Sequence, residues 1–119
     1  MAHFIIKDGV CIIPEGVTKI EEGAFKGCES LTGITIPESV TTIGEGAFAE
    51  CTALTSINIP YGVTRLEKDV LRNTGLVSVE IPASVNYIGT YAFRDCKQLT
   101  EVVINAPEFT MENNTFGIM

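Results

Sequence analysis

"IPESVTTIGEGAFAECTALTSINIP", residues Ile36 to Pro60, opens and closes on the same Ile-Pro pair. The stretch before it, "IPEGVTKIEEGAFKGCESLTGITIP" from Ile13 to Pro37, is nearly the same sentence. Pro14, Pro37, Pro60 and Pro82 are separated by 23, 23 and 22 residues. Phe25, Phe48, Leu71 and Phe93 keep the same beat, as do Leu31, Leu54, Leu76 and Leu99. A period of this length, held over four units, predicts a solenoid in which each unit stacks on the next.

The unit reads I-P-x-x-V-T-x-I-x-x-x-A-F-x-x-C-x-x-L-T-x-I-x. Its apolar columns recur at Val17, Val40, Val63 and Val85, at Ile20, Ile43, Leu66 and Ile88, and at Ile34, Ile57, Val79 and Val102. A last column holds Ile36, Ile59, Ile81 and Ile104. One unit cannot bury these side chains alone, whereas turns stacked about 4.8 Å apart join them into ladders. Each buried Val, Ile, Leu or Phe then contributes on the order of 1.5–3 kcal/mol before entropy is counted. "LTxIxI" alternates apolar and polar and predicts a strand with its Ile side chains inward. Proline then ends the strand, because it cannot donate to a ladder. "VTxI" predicts a second, shorter extended segment. "GEGAFAEC" has room for one helical turn or a 3₁₀ piece.

The third unit, "PYGVTRLEKDVLRNTGLVSVEI", carries Val70-Leu71 for Ala-Phe, lacks one residue and has lost the cysteine. A packing ladder tolerates that change and a catalytic constellation does not. Units are therefore expected at 14–36, 37–59, 60–81 and 82–104 of a single domain. Ahead of them, "FIIKDGVCIIP" predicts a hairpin turning on Asp8-Gly9. Cys11 and Ile13 there take the inward positions of Ile34 and Ile36, so residues 1–13 are expected to cap the first turn. Residues 105–119 read as a degraded fifth unit or closing cap, with Thr115-Phe116 echoing Ala-Phe.

Composition narrows the function classes. The 119 residues suit one domain, and 45% of them are apolar, enough for a core. Acidic residues number 15 against 8 basic, a formal charge of −7. That balance argues against nucleic acid or an anionic membrane surface, where recognition starts from Lys and Arg. No apolar run approaches the roughly 20 residues of a membrane helix, so direct membrane insertion is not expected. "MAHFIIKDGV" lacks the basic region and long apolar stretch of a signal peptide. Cys11, Cys28, Cys51 and Cys96 form no CxxC or Cys/His cluster, so neither a zinc site nor any other cofactor is expected. They read as buried free thiols.

Local candidates for chemistry fail one by one. His3 is the sole histidine, near one end and with no partner to orient it as a base. Glu21-Glu22 and Glu45 continue in the same column as Lys68 and Thr90, the pattern of a solvated loop. "GEGAF" lacks the lysine of a phosphate loop. The cysteines have no nearby base, and Asn113-Asn114-Thr115 matches a glycosylation sequon by chance.

"IPEGVTKIEEGAFKGCESLTGITIP" and "IPASVNYIGTYAFRDCKQLTEVVI" resemble the BspA-like, or treponemal-type, leucine-rich repeat over Pro14 to Ile104. The resemblance implies a β-rich, α/β-type right-handed solenoid with a short strand on its concave face and short extended or helical turns on the convex side. It implies a bacterial protein, extracellular or at the cell surface, associated with adhesion, and it brings no catalytic residue. The chain is accordingly expected to be non-enzymatic and to bind a protein or glycan partner, as a monomer or weak dimer. A structural spacer without a ligand of its own is the alternative. In solenoids the concave sheet is the usual binding surface. Its outward positions, Gly33, Thr35, Ser56, Asn58, Ser78, Glu80, Glu101 and Val103, are the candidate ligand contacts.

Overall fold

The computed structural model describes residues 4–117. Its architecture is a β-solenoid of about four turns. The strands are β1 (Ile6–Lys7), β2 (Val10–Ile12), β3 (Lys19–Ile20), β4 (Gly33–Thr35), β5 (Thr42–Ile43), β6 (Arg65–Leu66), β7 (Ser78–Ile81), β8 (Tyr87–Ile88), β9 (Glu101–Ile104) and β10 (Thr110–Met111). Each full turn has three runs: a longer extended segment, a two-residue strand and a set of tight turns.

The lead-in forms as the dipeptide Asp8-Gly9 dictates, with φ of 53° and 81° at its two residues. It folds β1 antiparallel onto β2, and β2 pairs in parallel with β4, Cys11 opposite Ile34. Farther along, β7 and β9 pair in parallel from Ser78↔Glu101 to Ile81↔Ile104. The short strands form two groups, β3 with β5 and β6–β8–β10. After Pro14, Pro37, Pro60 and Pro82 the chain closes a tight turn, the valine N–H three residues on donating back to the proline carbonyl. The repeated columns meet in one core that includes Ile20, Ile43, Leu66 and Ile88, with Phe48, Leu71 and Phe93 beside them.

The expected helical turn at "GEGAF" is absent, and no described residue is in a helix. Each full unit places two residues four apart in the left-handed region: Gly23 and Gly27, Gly46 and Glu50, Asp69 and Asn73, Tyr91 and Asp95. A helix cannot pass through such residues. The chain makes overlapping three-residue turns instead, as in Ala24 N–H to Glu21 O and Lys26 N–H to Gly23 O. Their conformation aims backbone N–H groups at the following turn. Gly23, Phe25 and Gly27 donate to the carbonyls of Glu45, Ala47 and Ala49 at 2.9, 2.7 and 2.8 Å. Gly46, Phe48 and Glu50 repeat this onto Lys68, Val70 and Arg72, and Asp69, Leu71 and Asn73 onto Thr90, Ala92 and Arg94. Inside that ladder the rings stack, Phe4 on Phe25 at 5.6 Å and Phe25 on Phe48 at 5.3 Å. Leu71 interrupts the stack, which resumes as Phe93 on Phe116.

Two further expectations change. Ser56–Asn58 is not a strand, and within Ser56–Ile59 no backbone group bonds to a neighbouring turn. The third unit is one residue short between Thr74 and Leu76, and Gly75 passes so close to the second turn that a Cβ there would lie 2.5 Å from Thr52 O. That corner meets the second turn at Val77 N–H to Thr55 O, and strand pairing resumes only from Ser78. Nor does β5 pair with β6. Gly44 and Gly89 lie where a Cβ would meet the previous turn's backbone, at 2.5 Å from Glu22 N and 2.9 Å from Lys68 N. The third unit has Glu67 in that slot, so its backbone must stand farther from the second turn.

Phe48, fully buried in the ring stack, should lose about 3–5 kcal/mol on truncation to Ala. Phe48→Leu, the exchange already present at Leu71, should cost clearly less, and Glu45→Ala about 0.5 kcal/mol or under. Urea unfolding separates the three, and equal midpoints for Phe48→Ala and Glu45→Ala would sink the ladder. A second prediction concerns Glu50, whose φ is 64°. Relieving a left-handed side chain outweighs the entropy of a glycine, so Glu50→Gly should stabilise by about 0.5–1 kcal/mol. A lower thermal midpoint for that variant would contradict it.

Candidate functional site

Alternation along the longer segments divides their residues between core and solvent. Cys11, Ile36, Ile59, Val79 and Ile81 face the core and are buried. Among the candidates, Thr35, Ser56, Asn58, Ser78, Glu80, Glu101 and Val103 are exposed, and Gly33 is half-buried. Register joins them into two rows. One contains Val10 opposite Gly33 and Ser78 opposite Glu101; the other contains Ile12 opposite Thr35 and Glu80 opposite Val103. Ser56 and Asn58 occupy the middle of the rows without strand pairing.

Sequence reasoning omitted several residues from this face. Val10 and Ile12 alternate with Cys11 and Ile13, so the register of the lead-in already implied them; Ile12 is 69% exposed. Tyr61 and Asn105 lie just beyond the segment ends, where alternation carries no signal. With Asn58, Ile59, Glu80 and Pro82 they line a shallow hollow of about 110 Å³. Asn105 Nδ2 donates to Glu80 Oε2 at 2.7 Å, and the Tyr61 N–H donates to Glu38 Oε1 at 3.2 Å. Tyr61 itself is 70% exposed.

A different polar group lies on β6–β8–β10. The Arg65 guanidinium sits 4.1 Å over the Tyr87 ring and its Nε is 3.1 Å from Glu67 Oε2. The Tyr87 hydroxyl donates to Glu112 Oε2 at 2.9 Å, which raises its pKa by favouring the protonated phenol. On the turn side, Arg94 lies 4.7 Å over Tyr91 and 3.8 Å from Asp95.

The cysteines do not share one environment. Cys11 and Cys51 are buried, whereas Cys28 and Cys96 are half-buried, and all are free thiols. Cys96 belongs to the last complete turn, beside a hollow of about 550 Å³ that also exposes Leu99 and Val102. Cys51 Sγ donates to Phe25 O at 3.1 Å, and Cys96 Sγ repeats the bond to Leu71 O at 3.0 Å. Thr74 takes the cysteine slot of the third unit, but its hydroxyl donates to Leu71 O within its own turn. A hydroxyl and a thiol thus reach the one Leu71 carbonyl from successive turns. Burial pushes the Cys51 thiol up to about 11, the opposite of a nucleophile's low value. No three His, Cys, Asp or Glu residues are placed to hold a metal among those described, and His3 lies outside them.

The family model for the BspA type leucine rich repeat region matches residues 10–118 with six copies, taking in β2 and the remnant after β9 as well as the four full units. The chain belongs to the BspA-type leucine-rich repeat family. Among solved structures it is similar to a leucine-rich repeat protein of T. pallidum, with TM-score 0.78, 29% identity, and coverage of 83% of this chain and 47% of that one. A leucine-rich repeat protein from Bacteroides ovatus aligns with TM-score 0.63, 28% identity and coverage of 79% and 33%. A leucine rich cell surface protein from Faecalibacterium prausnitzii aligns with TM-score 0.68, 30% identity and coverage of 86% and 33%. The chain spans less than half the length of each. No curated protein matches it.

The raised pKa of Cys51 has a signed consequence. Between about pH 9 and 11 the thiol ionises in the unfolded chain before it does in the folded one, so the folded state holds more protons and stability falls as pH rises. Wild type should lose on the order of 2 kcal/mol more than Cys51→Thr across that window. Parallel stability–pH curves in urea for the two proteins would refute this.

Proposed function

We propose that this BspA-type repeat is a non-catalytic interaction module that binds a protein or glycan partner across its strand face, the concave sheet of the solenoid, in a secreted or surface-exposed bacterial protein. One observation carries the reading. On the same strands the inward columns are uniformly apolar, while the outward rows run Val10, Gly33, Ser56, Ser78, Glu101 and Ile12, Thr35, Asn58, Glu80, Val103. Packing holds the first set and leaves the second open to a ligand. The F. prausnitzii neighbour, described as a cell surface protein, supports the location. Adhesion fits an extended face better than a cleft, because adhesive contacts gain from area and repetition.

Substituting Thr35, Asn58 and Glu80 together by Ala tests the proposal. Binding of the wild type to a glycan array and a panel of extracellular-matrix proteins should yield a partner. The triple variant should then lose at least about tenfold in affinity, with its urea midpoint unchanged. Full binding by a folded triple variant would favour the spacer reading, and an empty array and panel would count against an interaction role.

A further inference from the structure

The chain contains three tyrosines, and two are covered in the same way. Tyr87 lies under the Arg65 guanidinium, which pairs with Glu67, and its hydroxyl bonds Glu112; Tyr91 lies under Arg94, which pairs with Asp95. Each is a ring, a guanidinium over it and a carboxylate near the cation, and Arg65 also hydrogen-bonds its carboxylate, Glu67. Tyr61 has the ring and the carboxylates without the cation. The residue is 70% exposed, its N–H is held by Glu38, and Glu80 lines the same hollow. No described Arg or Lys lies over it.

We infer that Tyr61, Glu80 and Asn58 form a pocket for an arginine side chain of a partner protein. The inference rests on the reading of the strand face as a binding surface and narrows the partner to proteins with exposed arginine. Ile59 and Pro82 supply an apolar floor for the arginine methylenes, and the Tyr61 ring supplies the stacking face. Asn105 Nδ2 holds one oxygen of Glu80, which orients the other for a guanidinium N–H. The Asn58 carbonyl oxygen is a second acceptor. The chain cannot fill the site from its own surplus: Arg65, Arg72 and Arg94 each pair with a carboxylate, and acidic residues exceed basic by seven.

The test uses the full chain and a short acetylated Gly–Ser peptide carrying arginine, with the citrulline peptide as the uncharged isostere. Ring signals of Tyr61, followed by NMR at physiological salt, should shift saturably with the arginine peptide and should need roughly tenfold more of the citrulline peptide. Tyr61→Ala should weaken binding about threefold to tenfold and Tyr61→Phe should retain it. Glu80→Gln should weaken it with the urea midpoint unchanged. Equal binding of the two peptides, or full affinity in Tyr61→Ala, would overturn the pocket. A partner on the glycan array that depends on Thr35, Asn58 and Glu80 but not on Tyr61 would also overturn it, while leaving the face as a binding surface. Loss of the pocket and of that dependence together would remove both.

Discussion

Hydrogen bonds on the turn side run from the first full turn to the last, and the rest of the solenoid depends on them. Elsewhere pairing lapses, at Ser56–Asn58 on the strand face and between β5 and β6. On the turn side each unit hands its N–H groups to the next unit's carbonyls, through Tyr91 to Asn114 and Phe93 to Thr115. The donors include the left-handed residues themselves. This conformation stops a helix from satisfying its groups internally and directs them along the stacking axis. An unpaired buried backbone group costs about 1–3 kcal/mol, so the turns must sit at one spacing. That spacing brings the phenylalanine rings into stacking distance and the isoleucine columns into contact.

Most of this was legible because packing writes itself into the period. The inward columns, the lead-in register that sets Cys11 against Ile34, and the place of Phe116 over Phe93 all follow from counting residues. What escaped the count depends on backbone conformation or on chain ends. Glu50 and Tyr91 adopt positive φ with no side-chain signal for it, so the letters of "GEGAFAEC" point to a helical or 3₁₀ turn where the chain makes a string of tight turns. Thr74 stands in the cysteine column, yet its hydroxyl bonds within its own turn where Cys51 and Cys96 reach back to the previous one, a difference the letters do not carry. Cys28 and Cys96 match Cys51 in sequence but lie nearer the ends of the stack, where fewer turns cover them.

The seam between the second and third turns shows how a one-letter change acts at a distance. Gly44 and Gly89 let the backbone of one turn lie against the turn before, and Glu67 cannot. The carboxylate it introduces is used at once, pairing with Arg65 and so fixing the guanidinium over Tyr87. The unit that closes the fold least tightly is also the one that brings Arg65, Tyr61 and the shortened Thr74–Leu76 corner. Variation gathers where the ladder already tolerates it, because the turn-side bonds and the buried Leu66, Leu71 and Leu76 hold the unit in place.

Register, not local sequence, builds the candidate site. Tyr61 meets Glu38 across 23 residues, and Asn105 meets Glu80 across 25. No motif search over a short window could assemble these groups, since the two partners of each pair come from different units. A solenoid turns this to use: once the inward columns set the pitch, outward residues one period apart become neighbours at about the strand spacing. A binding surface can then change by single substitutions that leave the fold alone. The legible part of the sequence is therefore the part that repeats. The functional part has to be read across the turns, down each column, after the pitch is known.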